Sequence, residues 1–182
     1  MNEDKHRRLI MTEDDITRTL HRMAHQVWEK SKADNLVLVG ILKHGVPLAR
    51  RIKSIIDQVS GKDIPLGTLD IGLYRDDIGR SNIAQPLRST EIPFDVEGKD
   101  VVLVDDVIYT GRTVRSALNA LIDLGRPSRV QLLALIDRGH RELPIQADFI
   151  GQQIKTYEKE TVQVFLREED GMEGVFIDLN LD

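Results

Sequence analysis

Residues 101–113 read Val-Val-Leu-Val-Asp-Asp-Val-Ile-Tyr-Thr-Gly-Arg-Thr, and the reading of this stretch decides the fold. Four apolar residues in succession suit a short strand buried on both faces. Asp105 and Asp106 stand where that run stops. A tight turn through Thr110, Gly111, Arg112 and Thr113 then leads into an amphipathic helix. In an open α/β sheet, ligands lie beyond the carboxyl ends of the strands. A turn that opens a helix offers backbone N–H groups and the positive end of the helix dipole to an anion. Gly111 lets the backbone come close to a phosphate, and the two threonine hydroxyls can hydrogen-bond to it. Carboxylates repel phosphate, so the acid pair must face something else. Vicinal sugar hydroxyls suit acceptor-only groups, and so does a divalent cation travelling with the phosphates. A ligand with a phosphate at one end and a cis-diol in its middle is a ribose 5-phosphate. The competing reading is a surface Asp-Asp pair followed by an ordinary helix cap. The order of strand, acids, glycine and hydroxyls favours the ligand.

The bulk numbers fit such a domain. A chain of 182 residues with 41% hydrophobic content suits one domain, residues 1–182, with one sizeable core. It has no cysteine, which excludes disulfides and thiolate chemistry. No apolar run approaches membrane-spanning length and the N-terminus is charged, so a cytoplasmic protein without membrane contact is expected. The net charge of −5 argues against indiscriminate nucleic-acid binding while leaving room for a local basic surface.

Outward from the central stretch, Val114, Ala117, Leu118, Leu121 and Ile122 form a helical stripe that Gly125-Arg126-Pro127 stops. Upstream, residues 36–41 are continuously apolar and read as a central parallel strand. That strand leads into Lys43-His44-Gly45 and a helix with Pro47 in its first turn and Leu48, Ile52, Ile55, Ile56 and Val59 on one face. This is a second strand–loop–helix anion site. Residues 66–73 read as another strand, and the polar stretch 74–90 is long for a connection. It is either a flexible lid that brings Arg75 and Arg80 over the ligand, or a plain surface loop. Residues 130–136 form a further buried strand ending in Asp137-Arg138-Gly139-His140-Arg141. That end is equally a hood for a base and a salt-bridged turn.

At the N-terminus, residues 1–11 are mostly charged and expected to be loosely held. Thr12 caps a helix with Asp15 three residues on, and Ile16, Leu20, Met23, Ala24, Val27 and Trp28 make its apolar face. Arg18, His21, Arg22 and His25 share the opposite face. A metal on His21 and His25 is disfavoured by the flanking arginines. A solvated face and a polyanion-binding face remain open. At the other end, residues 162–166 and 175–179 read as a β-hairpin.

The stretch 105–115 resembles the phosphoribosyl-diphosphate-binding motif of the type I phosphoribosyltransferases. With Leu-Asp-Ile-Gly-Leu-Tyr-Arg-Asp-Asp at 69–77 and Asp-Arg-Gly-His-Arg-Glu-Leu-Pro at 137–144, the chain resembles the PyrR family over residues 12–177. These are pyrimidine-operon attenuators with uracil phosphoribosyltransferase activity. The resemblance implies an α/β fold with a central, mostly parallel sheet flanked by helices, a small hood and a C-terminal β-hairpin. It implies transfer of phosphoribose from phosphoribosyl diphosphate to uracil, giving UMP and pyrophosphate. Asp105, Asp106 and Arg75 would serve catalysis. Val107, Tyr109, Thr110, Gly111, Arg112 and Thr113 would bind the phosphoribosyl group or nucleotide. Lys43, His44 and Gly45 would hold the pyrophosphate, and Asp137 and Arg138 the base. Mg2+ would be carried mainly by substrate oxygens near Asp105 and Asp106.

In this family uridine nucleotides promote binding to a stem-loop of pyrimidine-operon leader mRNA, and the matching surface here includes Arg22, His25, His140 and Arg141. The family forms homodimers and homotetramers. Tyr109 stands where enzymes acting on 6-oxopurines generally carry an Asp, which favours a pyrimidine.

Several positions depart from the family pattern. Lys43-His44 replaces the usual Thr-Arg, substituting a point charge and a partly ionised imidazole for a bidentate fork. Weakened pyrophosphate handling and a low catalytic rate are therefore expected. His21 stands in place of a frequent Thr, and Gln146 and Gln152 in place of the usual Arg and Lys, which weakens the phosphate-contacting surface. Two alternatives to the bifunctional protein follow: a regulator with little or no catalysis, and a salvage uracil phosphoribosyltransferase without RNA binding.

Overall fold

The central stretch lies in β4 (Asp100–Ile108), the middle strand of a five-stranded parallel sheet. The sheet order is β3 (Leu66–Leu69), β2 (Leu36–Ile41), β4, β5 (Arg129–Asp137), β6 (Phe149–Gln153). This is a computed structural model, and it describes residues 7–31, 34–72 and 90–179. Val39 pairs with Leu103, and Leu103 with Leu132. The continuous apolar runs arise because both faces of the sheet are covered, so neither alternating set of side chains meets water. Leu38, Val102, Val104, Leu133 and Leu135 pack with apolar residues of α1 (Glu13–Lys30) and α2 (Gly45–Ser60). Val37, Val39, Val101, Leu103, Leu132 and Ala134 pack with those of α3 (Arg112–Asp123).

The strand order places the site. From β2 the chain moves outward to β3, then returns across β2 to β4 and continues through β5 to β6. The direction of winding therefore reverses between β2 and β4, and in open α/β sheets the carboxyl ends of the strands at such a reversal are where ligands bind. The loop leaving β2 carries Lys43-His44, and the acid pair lies in the last part of β4, which runs on past it to Ile108.

A second sheet is antiparallel, with β1 (Arg7–Met11), β8 (Gly174–Leu179) and β7 (Glu160–Phe165) in that order. The expected C-terminal hairpin is present as β7 and β8, with a short helix α4 (Arg167–Asp170) in its connection. The expectation of a loose segment through Met11 is corrected, because residues from Arg7 onward pair with β8. The Arg7 guanidinium bonds Asp178 at 2.8 Å and lies 5.1 and 5.3 Å from the ring centroids of Phe165 and Phe176. The charged head thus lies over two aromatic rings while it pairs with a carboxylate.

Helix α1 starts as expected. Asp15 N–H donates to Thr12 Oγ1 at 3.2 Å and Thr12 N–H to Asp15 Oδ2 at 2.9 Å, a reciprocal cap. The strand expected over 66–73 ends at Leu69. Asp70 N–H turns to Thr90 Oγ1 at 3.1 Å, and Asp70 Oδ1 accepts from Gly72 N–H at 2.7 Å, a side-chain turn that leaves the ladder. Arg75, Arg80 and all but the last residue of the expected loop 74–90 lie outside the described residues. Val59, assigned to the buried stripe of α2, is 49% exposed. Strand β6 was not expected, since Phe-Ile-Gly-Gln-Gln shows neither an apolar run nor clean alternation.

Candidate active site

Asp105 closes the first, continuously buried part of β4, and Asp106 beside it is half-buried. Burial, and next the charge of Asp106, push the Asp105 carboxyl well above the usual carboxylate range. Asp105 Oδ1 accepts from Asp106 N–H at 3.0 Å, and Asp106 Oδ1 from Val107 N–H at 2.8 Å. Val107 itself is half-buried against the α1–α2 side of the core.

The loop after β2 comes directly onto this pair. Gly45, the first residue of α2, leaves no room for a side chain: a Cβ there would lie 2.2 Å from Val104 O and 3.3 Å from Asp105 Cα. His44 Nδ1 is 3.1 Å from Asp106 Oδ2, and its Nε2 is 2.9 Å from Asp170 Oδ2 of α4. Lys43 Nζ donates to Asp170 Oδ1 at 3.3 Å. An ionised carboxylate only accepts, so an imidazole between two of them carries a proton on each nitrogen. The His44 pKa is accordingly raised, first by the hydrogen bond to Asp106 and also by Asp170, against the opposing effect of burial. The surroundings of His44 favour the imidazolium.

On the other side of the acids, Gly111 takes φ 92°, the left-handed conformation that glycine tolerates best, and precedes α3. Gly111 at the N-cap has no side chain to offer the first-turn amides of this helix. Thr110 Oγ1 accepts from Arg112 N–H at 3.3 Å, and Thr113 is half-buried beside it in sequence. The turn is braced from outside by the N–H groups of Glu142 and Leu143, which donate to Thr110 O at 3.0 and 3.1 Å. Arg112 Nε donates to Glu142 Oε2 at 2.6 Å.

The residues expected as a hood leave the end of β5. Asp137 pairs in register with Ile108, one residue before Tyr109, and its Oδ1 accepts from Gly139 N–H at 2.9 Å and Arg141 Nη2 at 2.8 Å. The Arg138 guanidinium stacks 3.9 Å from the Tyr109 ring centroid and is 8% exposed. It donates to Thr156 Oγ1 at 3.1 Å, to Glu158 O at 3.2 Å and to Glu160 O. Arg138 therefore shapes the wall through Tyr109 and the segment after β6, with its donors directed at the protein.

The four residues expected to face RNA differ in setting. Arg22 and His25 are exposed on α1, and Arg22 Nη2 donates to Gly151 O at 2.6 Å, tying that face to β6. His140 is exposed, has φ 57°, and its Nε2 is 2.8 Å from Thr156 O. Arg141 is directed inward, donating to Ile145 O at 2.8 Å and Tyr109 O at 2.9 Å besides Asp137. Gln146 and Gln152 are exposed. No direct contact joins the α1 pair to His140 or Arg141. Both groups abut β6 and its exit.

Two participants escaped the sequence reading. Glu142 was read only within its motif, and Asp170 only as part of a hairpin connection. Their partners lie 30 and 126 residues away, and no local pattern links them. Among the described residues no group of three or more His, Cys, Asp or Glu side chains gathers to hold a metal. The acid pair offers the hard oxygen donors that Mg2+ takes, but too few to enclose it, which fits a cation arriving on its substrate.

Comparison with known proteins agrees with this arrangement. The phosphoribosyl transferase domain family matches residues 12–168. The chain is 56% identical over 169 residues to the bifunctional protein PyrR of Pelotomaculum thermopropionicum, covering 92% of this chain and 93% of that protein. It is 52% identical over 167 residues to bifunctional protein PyrR of Thermus thermophilus, covering 91% and 92%. Among solved structures it is similar to a hypoxanthine phosphoribosyltransferase from Staphylococcus aureus, with TM-score 0.70, 23% identity and coverage of 98% and 94%. A Trypanosoma cruzi hypoxanthine phosphoribosyltransferase in complex with its product IMP gives TM-score 0.72 at 15% identity, covering 99% and 96%. At these identities the two structures speak for the fold alone.

Proposed function

The chain belongs to the PyrR family of bifunctional proteins within the phosphoribosyltransferases, and we propose that it forms UMP from uracil and phosphoribosyl diphosphate while regulating pyrimidine genes through leader mRNA. The observation that carries the reading is the meeting, at the β2/β4 reversal, of an acid pair, a cationic loop and a glycine turn that opens a helix. His44 within 3.1 Å of Asp106 joins the first two.

Phosphoribosyl diphosphate lies across this crevice. Its 5-phosphate rests on the amides and hydroxyls of Thr110, Gly111, Arg112 and Thr113, which fixes the ring. Its diol faces Asp105 and Asp106. Burial favours the neutral form of Asp105, which can donate to one hydroxyl while Asp106 accepts from the other. As the bond at the anomeric carbon breaks, positive charge develops on the ribose, and Asp106 is placed to stabilise it. Lys43 and His44 receive the departing diphosphate. Asp105 and Asp106 lie where they would face a Mg2+ ion carried mainly by substrate oxygens, which would supply neutralisation of charge on the diphosphate. Uracil lies against the wall of Tyr109, Arg138 and Asp137, where Tyr109 presents no carboxylate to a purine. Arg75 would complete the site from outside the described residues.

UMP in the same crevice promotes RNA binding on the face of Arg22, His25 and His140, and by linkage RNA raises the affinity for UMP. Arg141 serves that face by holding the 137–145 segment in shape. The protein is a single-domain, cytoplasmic homodimer or homotetramer. Among the described residues, no helix is long and apolar enough to cross a membrane. The exposed Gln146 and Gln152, in place of family cations, favour one alternative, a salvage enzyme without RNA binding.

Two assays test the proposal. Labelled uracil should be converted to UMP in the presence of phosphoribosyl diphosphate and Mg2+. A pyrimidine leader RNA should shift on a gel at lower protein concentration when UMP is added. No UMP formation removes the enzyme. A shift indifferent to UMP removes the coupling, and no shift leaves the salvage enzyme.

A further inference from the structure

We propose that Asp170, on the connection between β7 and β8, is the positioning residue of the diphosphate loop, holding His44 and Lys43 from behind so that the His44 Nδ1–H faces the crevice. The inference deepens the transferase reading and rests on it.

One carboxylate reaches both residues that replace the family's Thr-Arg. Asp170 Oδ2 lies 2.9 Å from His44 Nε2, and Oδ1 lies 3.3 Å from Lys43 Nζ. The two nitrogens of an imidazole point to different sides of the ring. With Nε2 fixed on Asp170, Nδ1 is directed at Asp106, 3.1 Å away. A bound diphosphate would take that donor and leave Asp106 for the ribose hydroxyls. An arginine at position 44 would present a fork of donors without help. A histidine needs its ring oriented, and a carboxylate behind it supplies that.

The post on which Asp170 stands is itself held. Its Oδ2 accepts from Leu166 N–H at 2.9 Å and its own N–H donates to Leu166 O at 2.8 Å. On either side, Glu168 and Glu173 accept from Arg51 of α2 at 2.8 and 2.6 Å. Arg167 pairs with Glu13 at the start of α1. Helix α4 is thus locked to α2, whose first residue follows His44. A role confined to capping α4 needs only the bond to Leu166 N–H. The contacts to Lys43 and His44 go beyond it.

Asp170→Asn keeps an acceptor for Leu166 N–H and removes the charge, so the fold should survive. In the full-length protein it should raise KM for phosphoribosyl diphosphate and the inhibition constant of pyrophosphate about tenfold, the scale of one charge-assisted hydrogen bond. KM for uracil should not change. Asp170→Glu, retaining the charge, should recover most of the loss. In a His44→Ala, Lys43→Ala background Asp170→Asn should add nothing further. Calorimetric binding of inorganic pyrophosphate with Mg2+ separates this inference from the proposed reaction. Tenfold weaker binding by Asp170→Asn supports the positioning role even in a protein that forms no UMP. Equal binding by folded Asp170→Asn overturns it and leaves the transferase standing. A wild-type protein that neither forms UMP nor binds pyrophosphate overturns both.

Discussion

Replacing Gly45 by alanine tests the geometry of the site most severely for the smallest change. The added methyl would sit 2.2 Å from Val104 O and 3.1 Å from Val104 C. A comfortable carbon contact needs more than 3 Å, so the helix must lift by about 1 Å. The strand cannot recede, because β4 is hydrogen-bonded to β2 on one side and β5 on the other. Overpacking against fixed backbone costs about 3 kcal/mol. At roughly 2–4 °C per kcal/mol for a chain of this length, the melting temperature should fall by about 6–12 °C. The lift also carries His44 away from Asp106, and an ångström of misplacement costs about a hundredfold in rate. Thermal unfolding and initial rates of UMP formation at a temperature where the variant is folded measure the two effects. A Gly45→Ala protein melting within about 2 °C of wild type, with an unchanged rate, would refute the account of how α2 and β4 meet.

Other outcomes follow from the same contacts. Thr12→Ala removes the hydroxyl that accepts from Asp15 N–H, keeps the backbone N–H that donates to Asp15, and should cost about 1 kcal/mol, read as a fall of about 2–4 °C in melting temperature. Arg138→Lys loses the planar stack on Tyr109 and the fork to Glu158 O and Glu160 O, and should cost about 2 kcal/mol in chemical denaturation while raising KM for uracil. The His44 pairing should be pH-dependent. Its raised pKa means that His44 contributes stability fully below its ordinary value of about 6.5, and loses that contribution as pH rises through the folded value. Burial acts to raise the Asp170 pKa, but the Leu166 amide, Lys43 and His44 lower it overall, so its contribution is lost instead on acidification. Unfolding of His44→Ala followed against pH should lack the decline that wild type shows as pH rises beyond about 6.5.

The parts of the fold that could be read from sequence are those where one local pattern has one physical meaning. The apolar runs of β2, β4 and β5 could only be strands covered on both sides, and Thr12 with Asp15 could only begin a helix. The acid pair and the Gly111 turn were legible because their order along the chain is also their order in space. What resisted was non-local. Strand β6 owes its existence to pairing with β5 from Leu133↔Phe149 to Asp137↔Gln153, not to its own sequence. β1 needs β8 to be a strand at all. Asp170 acquires its meaning only when the hairpin folds back on α2. The carboxylate partners of His44 escaped the reading for the same reason, since neither is near it in sequence. Arg138 and Arg141, read as a base contact and an RNA contact, turned out to direct their donors into the protein.

The central claim is that a phosphoribosyl group lies across the acid pair and the turn that follows it. A crystal structure of the protein with UMP, or with phosphoribosyl diphosphate and Mg2+, tests this most directly. The account predicts the ribose hydroxyls within hydrogen-bonding distance of Asp105 and Asp106, the 5-phosphate on the amides of residues 110–113, and the base beside Tyr109. Clear density for the ligand elsewhere, with the β2/β4 crevice still closed by the His44–Asp106 pair, would contradict it.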